Sequence, residues 1–138
     1  MAAPFSHQLR VRFRECDPQG IVFNGNYVGY FDDAITELWR RAFGSYGAMV
    51  ERGIDMVVGE INLTFTGSAR FDELVEVEAT IEKLGTTSMT TGLELVRDGE
   101  SLVQCRIRHV FVDTGGWSKT EIPDWVRAGL EPYLGADD

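Results

Sequence analysis

Residues 27–43 read YVGYFDDAITELWRRAF. Tyr27, Tyr30, Phe31, Ala34, Ile35, Leu38, Trp39, Ala42 and Phe43 recur in steps of three and four, which draws one broad apolar stripe along a helix. Asp32, Asp33, Glu37, Arg40 and Arg41 take the opposite side, with Glu37 and Arg41 spaced to pair one turn apart. Asn24 or Asn26 suits the N-cap and Gly44 the stop. Burying a large apolar side chain is worth about 1.5–3 kcal/mol before entropy is subtracted, so a stripe this wide predicts an extensive apolar surface beneath it.

The flanking sequence supplies that surface as strands. Upstream, Leu9, Val11 and Phe13 alternate with Arg10, Arg12 and Arg14, a strand with one buried face. Asp-Pro-Gln-Gly at 17–20 then has the chemistry of a type I turn. Downstream, Val57, Gly59, Ile61, Leu63 and Phe65 alternate within Met56 to Thr66, with Gly59 marking a bulge or a close approach. Val75, Val77, Ala79 and Ile81 form the next strand, and Met89, Thr91, Leu93 and Leu95 another. Asp98-Gly99 is a hairpin signal, after which Val103, Cys105, Ile107, His109 and Phe111 run back. Pro123 opens a short closing helix with Trp125, Val126, Leu130 and Leu134. Strand, helix, then four closely joined strands predict an α+β arrangement, an antiparallel meander with one helix on its face. Residues 1–138 are expected to form a single domain whose acidic tail, Gly135 to Asp138, frays.

Composition narrows the function. A hydrophobic share of 43% and a charged share of 25% are ordinary for a soluble protein, and no apolar run nears the roughly 18 residues of a membrane span. Met-Ala-Ala-Pro-Phe-Ser-His lacks the basic and apolar regions of a secretory signal, so a cytoplasmic protein without membrane insertion is expected. A net charge of −9 argues against nucleic acid as the main partner. Cys16 and Cys105 have neither disulfide-scaffold numbers nor metal-site spacing and read as reduced, unreactive thiols; no metal site is expected. Arg10, Arg12 and Arg14 on one strand, and Arg106 and Arg108 on another, are either local positive fields for a small anion or solvated strand faces.

The chemistry concentrates in Asp17-Pro-Gln-Gly-Ile-Val-Phe-Asn-Gly-Asn-Tyr27. This stretch places a carboxylate on a turn just before a helix start. A helix start offers unpaired N–H groups and a positive dipole end, which can hold a carbonyl oxygen while a nearby carboxylate attacks or activates water.

That motif, preceded by Val11-Arg-Phe-Arg14, resembles the signature of the hotdog-fold acyl-CoA thioesterases related to 4-hydroxybenzoyl-CoA thioesterase and the Tol-Pal-associated thioesterases. The resemblance extends to Phe71-Asp-Glu-Leu74, Phe111-Val-Asp113 and Lys119-Thr-Glu-Ile-Pro123. It implies a hotdog fold, an antiparallel sheet wrapped around one long central helix, and a homodimer or homotetramer with sites at subunit interfaces. It implies an acyl-CoA substrate, with no cofactor beyond the coenzyme A of that substrate. Asp17 would face the thioester carbonyl as nucleophile or general base, and Asn24, Gly25, Asn26 and Tyr27 would supply the carbonyl-positioning amides. Some relatives carry a basic cluster in the loop that here reads Gly85-Thr-Thr87, which leaves Arg70, Lys83, Arg108 and Lys119 as candidates for coenzyme A phosphates. Many members have His where this chain has Asn24, which can donate a hydrogen bond or cap a helix but cannot shuttle a proton near neutral pH.

Two other functions follow from the same residues. A noncatalytic acyl-thioester binder or assembly protein would keep the fold without turnover. A hydratase would need a histidine beside Asp17, whereas His7 is placed before the first strand and His109 as a satisfied core imidazole. An acyl carrier protein is the alternative acyl donor, and Glu60, Asn62 and Thr64 share a face that would line a pocket or a subunit interface, the interface being preferred. Acyl identity is not readable from the sequence.

Overall fold

The computed structural model of the protein describes residues 3–135. Five strands make one antiparallel sheet: β1 (Phe5–Arg10), β2 (Ile54–Phe65), β3 (Leu74–Leu84), β4 (Ser88–Arg97) and β5 (Glu100–Asp113), with the short β6 (Ser118–Lys119) paired to β5. Their order is β1-β3-β4-β5-β2. The predicted meander is therefore limited to β3, β4 and β5. β2 does not turn back onto β3 but pairs with β5 from Ile54↔Asp113 to Phe65↔Val103. Residues 66–73 cannot close a tight hairpin because their backbone is bound elsewhere: the Thr66 and Gly67 N–H groups donate to the Leu102 carbonyl, and the Ala69 carbonyl accepts from Val22.

Helix α1 (Asn26–Phe43) buries Tyr27, Tyr30, Phe31, Ala34, Ile35, Leu38 and Trp39, the stripe the sequence draws. These side chains share one core with Val75, Val77, Ala79 and Ile81 of β3, Met89, Leu93 and Leu95 of β4, and Val103, Ile107 and Phe111 of β5. Gly44 stops α1 at φ 87° with its N–H on the Arg40 carbonyl. A four-residue α2 (Gly47–Val50) follows, and α3 (Asp124–Leu130) closes over the core with Val126 and Leu130. Leu134 lies beyond α3, past a 3-10 turn at Glu131–Tyr133, and is exposed rather than helical. The Gly135 N–H is tied to the Ile81 carbonyl, and the rest of the tail expected to fray lies outside the described residues. No helix among the described residues is long and apolar enough to cross a membrane.

Several local expectations need correction. The first strand runs over Phe5–Arg10 rather than 9–14, and His7 sits within it. Phe13–Glu15 is a 3-10 turn, and Phe13, expected in the core, is 77% exposed. The cause is Glu15, whose carboxylate accepts the Arg12 N–H at 2.7 Å and ends the strand as a capping box does. Neither Asn24 nor Asn26 caps α1; Gly25 holds the N-cap position with no side-chain bond. Glu37 pairs with Arg40 instead of Arg41, whose guanidinium lies 4.9 Å from the Phe5 ring centre. In β2 the register does shift at Gly59, where an added Cβ would lie 2.9 Å from the Arg108 guanidinium. Val57 and Phe65 stay largely exposed because β2 is a sheet edge.

Glu15 fixes how the chain passes from β1 to α1. Its carbonyl accepts the Phe23 N–H at 2.9 Å and the Asn26 side-chain amide at 2.8 Å. Its carboxylate accepts the Tyr30 hydroxyl at 2.7 Å besides the Arg12 N–H. Burial, and then this bond to a carboxylate, push the Tyr30 pKa upward, so the hydroxyl stays a donor. Tyr30→Phe removes a hydrogen bond to a charged group and should lower stability in urea unfolding by about 1.5–3 kcal/mol. A loss below about 0.5 kcal/mol would show that the bond does not hold the junction.

His109 is buried in β5, as expected, but not satisfied: its Nδ1 has no hydrogen-bond partner among the described residues. Burial drives its pKa from 6.5 down to about 4. The unfolded chain therefore binds a proton that the folded chain refuses between those values. Stability should be intact above pH 6.5 and fall by up to roughly 3 kcal/mol as the pH drops to about 4. His109→Leu should flatten that part of the stability profile; an unchanged slope in the variant would contradict the assignment.

Candidate active site

Residues 15–23 fold into a small antiparallel ribbon. Cys16 bridges Val22, the Asp17 N–H donates to the Ile21 carbonyl at 2.9 Å, and the Gly20 N–H donates back to the Asp17 carbonyl at 2.9 Å, closing the predicted turn. One Asp17 carboxylate oxygen, Oδ1, accepts the Gln19 N–H at 2.8 Å. The other, Oδ2, accepts no hydrogen bond among the described residues, and Asp17 is half-buried. The turn thus occupies one oxygen and leaves the second without a partner among the described residues.

The far end of the ribbon runs into α1, and the four residues expected to position a carbonyl divide into two kinds. The Asn26 N–H is taken by the Phe23 carbonyl at 2.8 Å and that of Tyr27 is held loosely by Asn24 at 3.4 Å. Tyr27 is a core residue whose hydroxyl accepts the Ala69 N–H at 3.1 Å, and burial raises its pKa. Asn24 and Gly25 are exposed, and their N–H groups have no acceptor among the described residues. Of these four residues, Asn24 and Gly25 are the two whose N–H groups have no acceptor among the described residues.

Among the four candidate phosphate-binding cations, Arg70 is nearest the ribbon, since it bridges Ile21. Lys83 and Arg108 fall in one row across the sheet, Lys83↔Thr90↔Arg108, and the Arg108 Nε lies 3.8 Å from Glu60. Lys119 stands apart on β6. The four do not form one cluster. The loop at 85–87 has no charge of its own, yet Arg127 of α3 donates to the Gly85 and Thr86 carbonyls and brings a cation the linear sequence hides. Asn62 and Thr64 line a polar groove of about 770 Å³, together with Glu78, Glu82, Gln104 and Arg106. A second cleft, of about 420 Å³, lies between β1 and α1. Asp17 borders neither. Phe13, Phe23 and Phe71 are each more than half exposed, with Phe13 and Phe71 in edge contact at 5.7 Å.

Among the described residues no cluster of His, Cys, Asp or Glu could hold a metal ion. The Cys105 thiol is pushed up to about 12 by burial, which leaves it a poor nucleophile. Sequence reading missed Glu15 and Tyr30 as the frame of the site. Their spacing matches no motif, and only the fold brings them together.

The family model described as thioesterase superfamily matches residues 19–104, more than half of the chain, beginning just after Asp17. The acyl-CoA thioesterase YbgC of Haemophilus influenzae is 25% identical over 127 residues, covering 91% of this chain and 93% of that protein. The acyl-CoA thioester hydrolase YbgC of Escherichia coli O6:H1 is 26% identical over 110 residues, covering 79% and 82%. The crystal structure of a thioesterase superfamily protein from Jannaschia superposes with a TM-score of 0.90 at 23% identity, covering 96% of this chain and 94% of that one. With a family match spanning most of the sheet and a shared architecture from end to end, the chain belongs to the thioesterase superfamily.

Proposed function

We propose that the protein hydrolyses acyl-CoA thioesters, with Asp17 as the reacting carboxylate and the Asn24 and Gly25 amides as the oxyanion site. One observation carries this reading: a carboxylate oxygen without a partner on the Asp17 turn and two unpaired N–H groups at Asn24 and Gly25 are joined by one short hydrogen-bonded ribbon. The YbgC proteins of H. influenzae and E. coli, named for acyl-CoA thioester hydrolysis, support the substrate class. The family match begins at residue 19, so the role of Asp17 rests on geometry.

In this reading the carbonyl oxygen accepts from the Asn24 and Gly25 N–H groups, whose donation strengthens as charge grows on it. Asp17 attacks the carbonyl carbon through Oδ2, expelling the thiolate and leaving a mixed anhydride that water then hydrolyses, or it takes a proton from water that attacks directly. Both routes give a carboxylic acid and free coenzyme A, and neither calls for a metal or cofactor. His7 lies in β1 and His109 in the core, which favours hydrolysis over hydration. β2 ends the sheet as an open edge with exposed Val57 and Val58. A second copy pairing there, as a homodimer or within a homotetramer, would complete the sheet around α1 in the hotdog manner and wall the exposed side of Asp17.

Asp17→Asn keeps an oxygen for the Gln19 N–H and so preserves the turn. It should leave the melting temperature nearly unchanged and lower kcat by about 10²–10⁴-fold in a thiol-release assay on acyl-CoA. Activity within a few-fold of the parent would sink the role of Asp17. No turnover by the parent across short, long and aromatic acyl-CoAs, with acyl-CoA still bound, would favour the noncatalytic binder instead.

A further inference from the structure

The two arginine stripes of the sequence have different fates. On β5, Arg106 is bound by Glu82 through Nε at 2.8 Å and Nη2 at 3.4 Å, and Arg108 faces Glu60 at 3.8 Å. Both charges are answered within the sheet. The other stripe bends off the sheet where β1 ends, and Arg10, Arg12 and Arg14 all line the cleft of about 420 Å³ between β1 and α1. Arg10 is tethered, donating to the Asp72 carbonyl at 2.7 Å and lying 3.7 Å from its carboxylate. No carboxylate among the described residues lies within ion-pair distance of the Arg12 or Arg14 guanidinium.

Two carboxylates share the cleft, Glu15 and Asp33. Glu15 accepts the Tyr30 hydroxyl and the Arg12 backbone N–H, both through Oε1, and forms no ion pair with a guanidinium among the described residues. On a chain of net charge −9, two unanswered guanidinium groups in one cleft form a local site for a multiply charged anion. Guanidinium forks match phosphate oxygens bidentately, and Gln8 on the β1 wall and Asp33 on the α1 wall suit the hydroxyls of a ribose. Position agrees: at most about 3.6 Å per residue, the Arg14 Cα lies within about 11 Å of that of Asp17 and the Arg12 Cα within about 18 Å. That span suits a ligand whose reacting end and phosphate end are separated by a flexible arm.

We propose that the Arg10–Arg12–Arg14 cleft binds the phosphorylated nucleotide end of coenzyme A while the thioester reaches Asp17. This rests on the acyl-CoA reading above and moves the phosphate site away from Arg70, Lys83, Arg108 and Lys119. The test compares the parent with an Arg12→Ala/Arg14→Ala double variant, in which the Arg12 backbone N–H still reaches Glu15. KM is measured for an acyl-CoA and for the matching acyl-pantetheine, which lacks the nucleotide, and coenzyme A itself is titrated calorimetrically. The double variant should raise KM for acyl-CoA by about tenfold or more, with kcat within about twofold and KM for acyl-pantetheine unchanged. Calorimetry should show the same loss of affinity for coenzyme A and none for pantetheine.

An unchanged KM for acyl-CoA overturns the proposal while leaving the thioesterase reading in place. Equal increases for both substrates, or a change of oligomeric state in the variant, also overturn it, because the arginines would then be structural or would meet a partner chain. If the parent hydrolyses no thioester, the calorimetric arm still decides: affinity for coenzyme A that falls in the variant supports the cleft, and equal or absent affinity removes it.

Discussion

Glu15 is the residue on which the site geometry depends. Its carbonyl and carboxylate together accept four hydrogen bonds, from Phe23, Asn26, Tyr30 and Arg12. These bonds end the first strand, close the ribbon that carries Asp17 and set the first turns of α1. A helix start without a side-chain cap is ordinarily a weak feature. Here Gly25 has no side chain to offer as a cap, and the Asn26 amide and the Tyr30 hydroxyl tie the start of the helix to Glu15 instead. Because Asn24 and Gly25 are exposed, solvent can satisfy their N–H groups at little cost to folding, and in the proposed reading the same donors would meet a developing negative charge.

The sequence was most legible where one periodicity governs a long segment. The three- and four-residue steps of α1, the alternation of β3 and β4 and the Asp98-Gly99 hairpin all reappear in the structure, because each buries a face against one broad core. It was least legible where a single side chain overrides the pattern. Phe13 continues the alternation of Leu9 and Val11, yet the bond from the Arg12 N–H to Glu15 takes it out of the sheet. The strand order failed for a related reason: the segment from 66 to 73 is committed to Leu102 and to the Asp17 ribbon, contacts that no local pattern announces.

The site was legible as a motif but not as a set of atoms. Asp17 and the helix start are adjacent in sequence, so their pairing could be read directly. The division of labour within 24–27, with two free amides, one anchor and one core tyrosine, depends on the acceptors that Phe23 and Asn24 offer and on the N–H of Ala69. The arginines of β1 and β5 look alike in the chain, and they separate only once Glu82 and Glu60 are seen to face one stripe and not the other. In the proposed reading, a second copy pairing at the exposed β2 edge would supply the wall that the two clefts do not give Asp17.

The central claim is that one small electrophile meets both Asp17 and the amides that open α1. A crystal structure with an acyl-CoA analogue carrying a ketone in place of the thioester tests it most directly. The account predicts the ketone oxygen at about 2.7–3.1 Å from the Asn24 or Gly25 nitrogen, with the free Asp17 oxygen facing the carbonyl carbon. A ketone held by other residues, with Asp17 directed away from it in the assembled oligomer, would contradict the account.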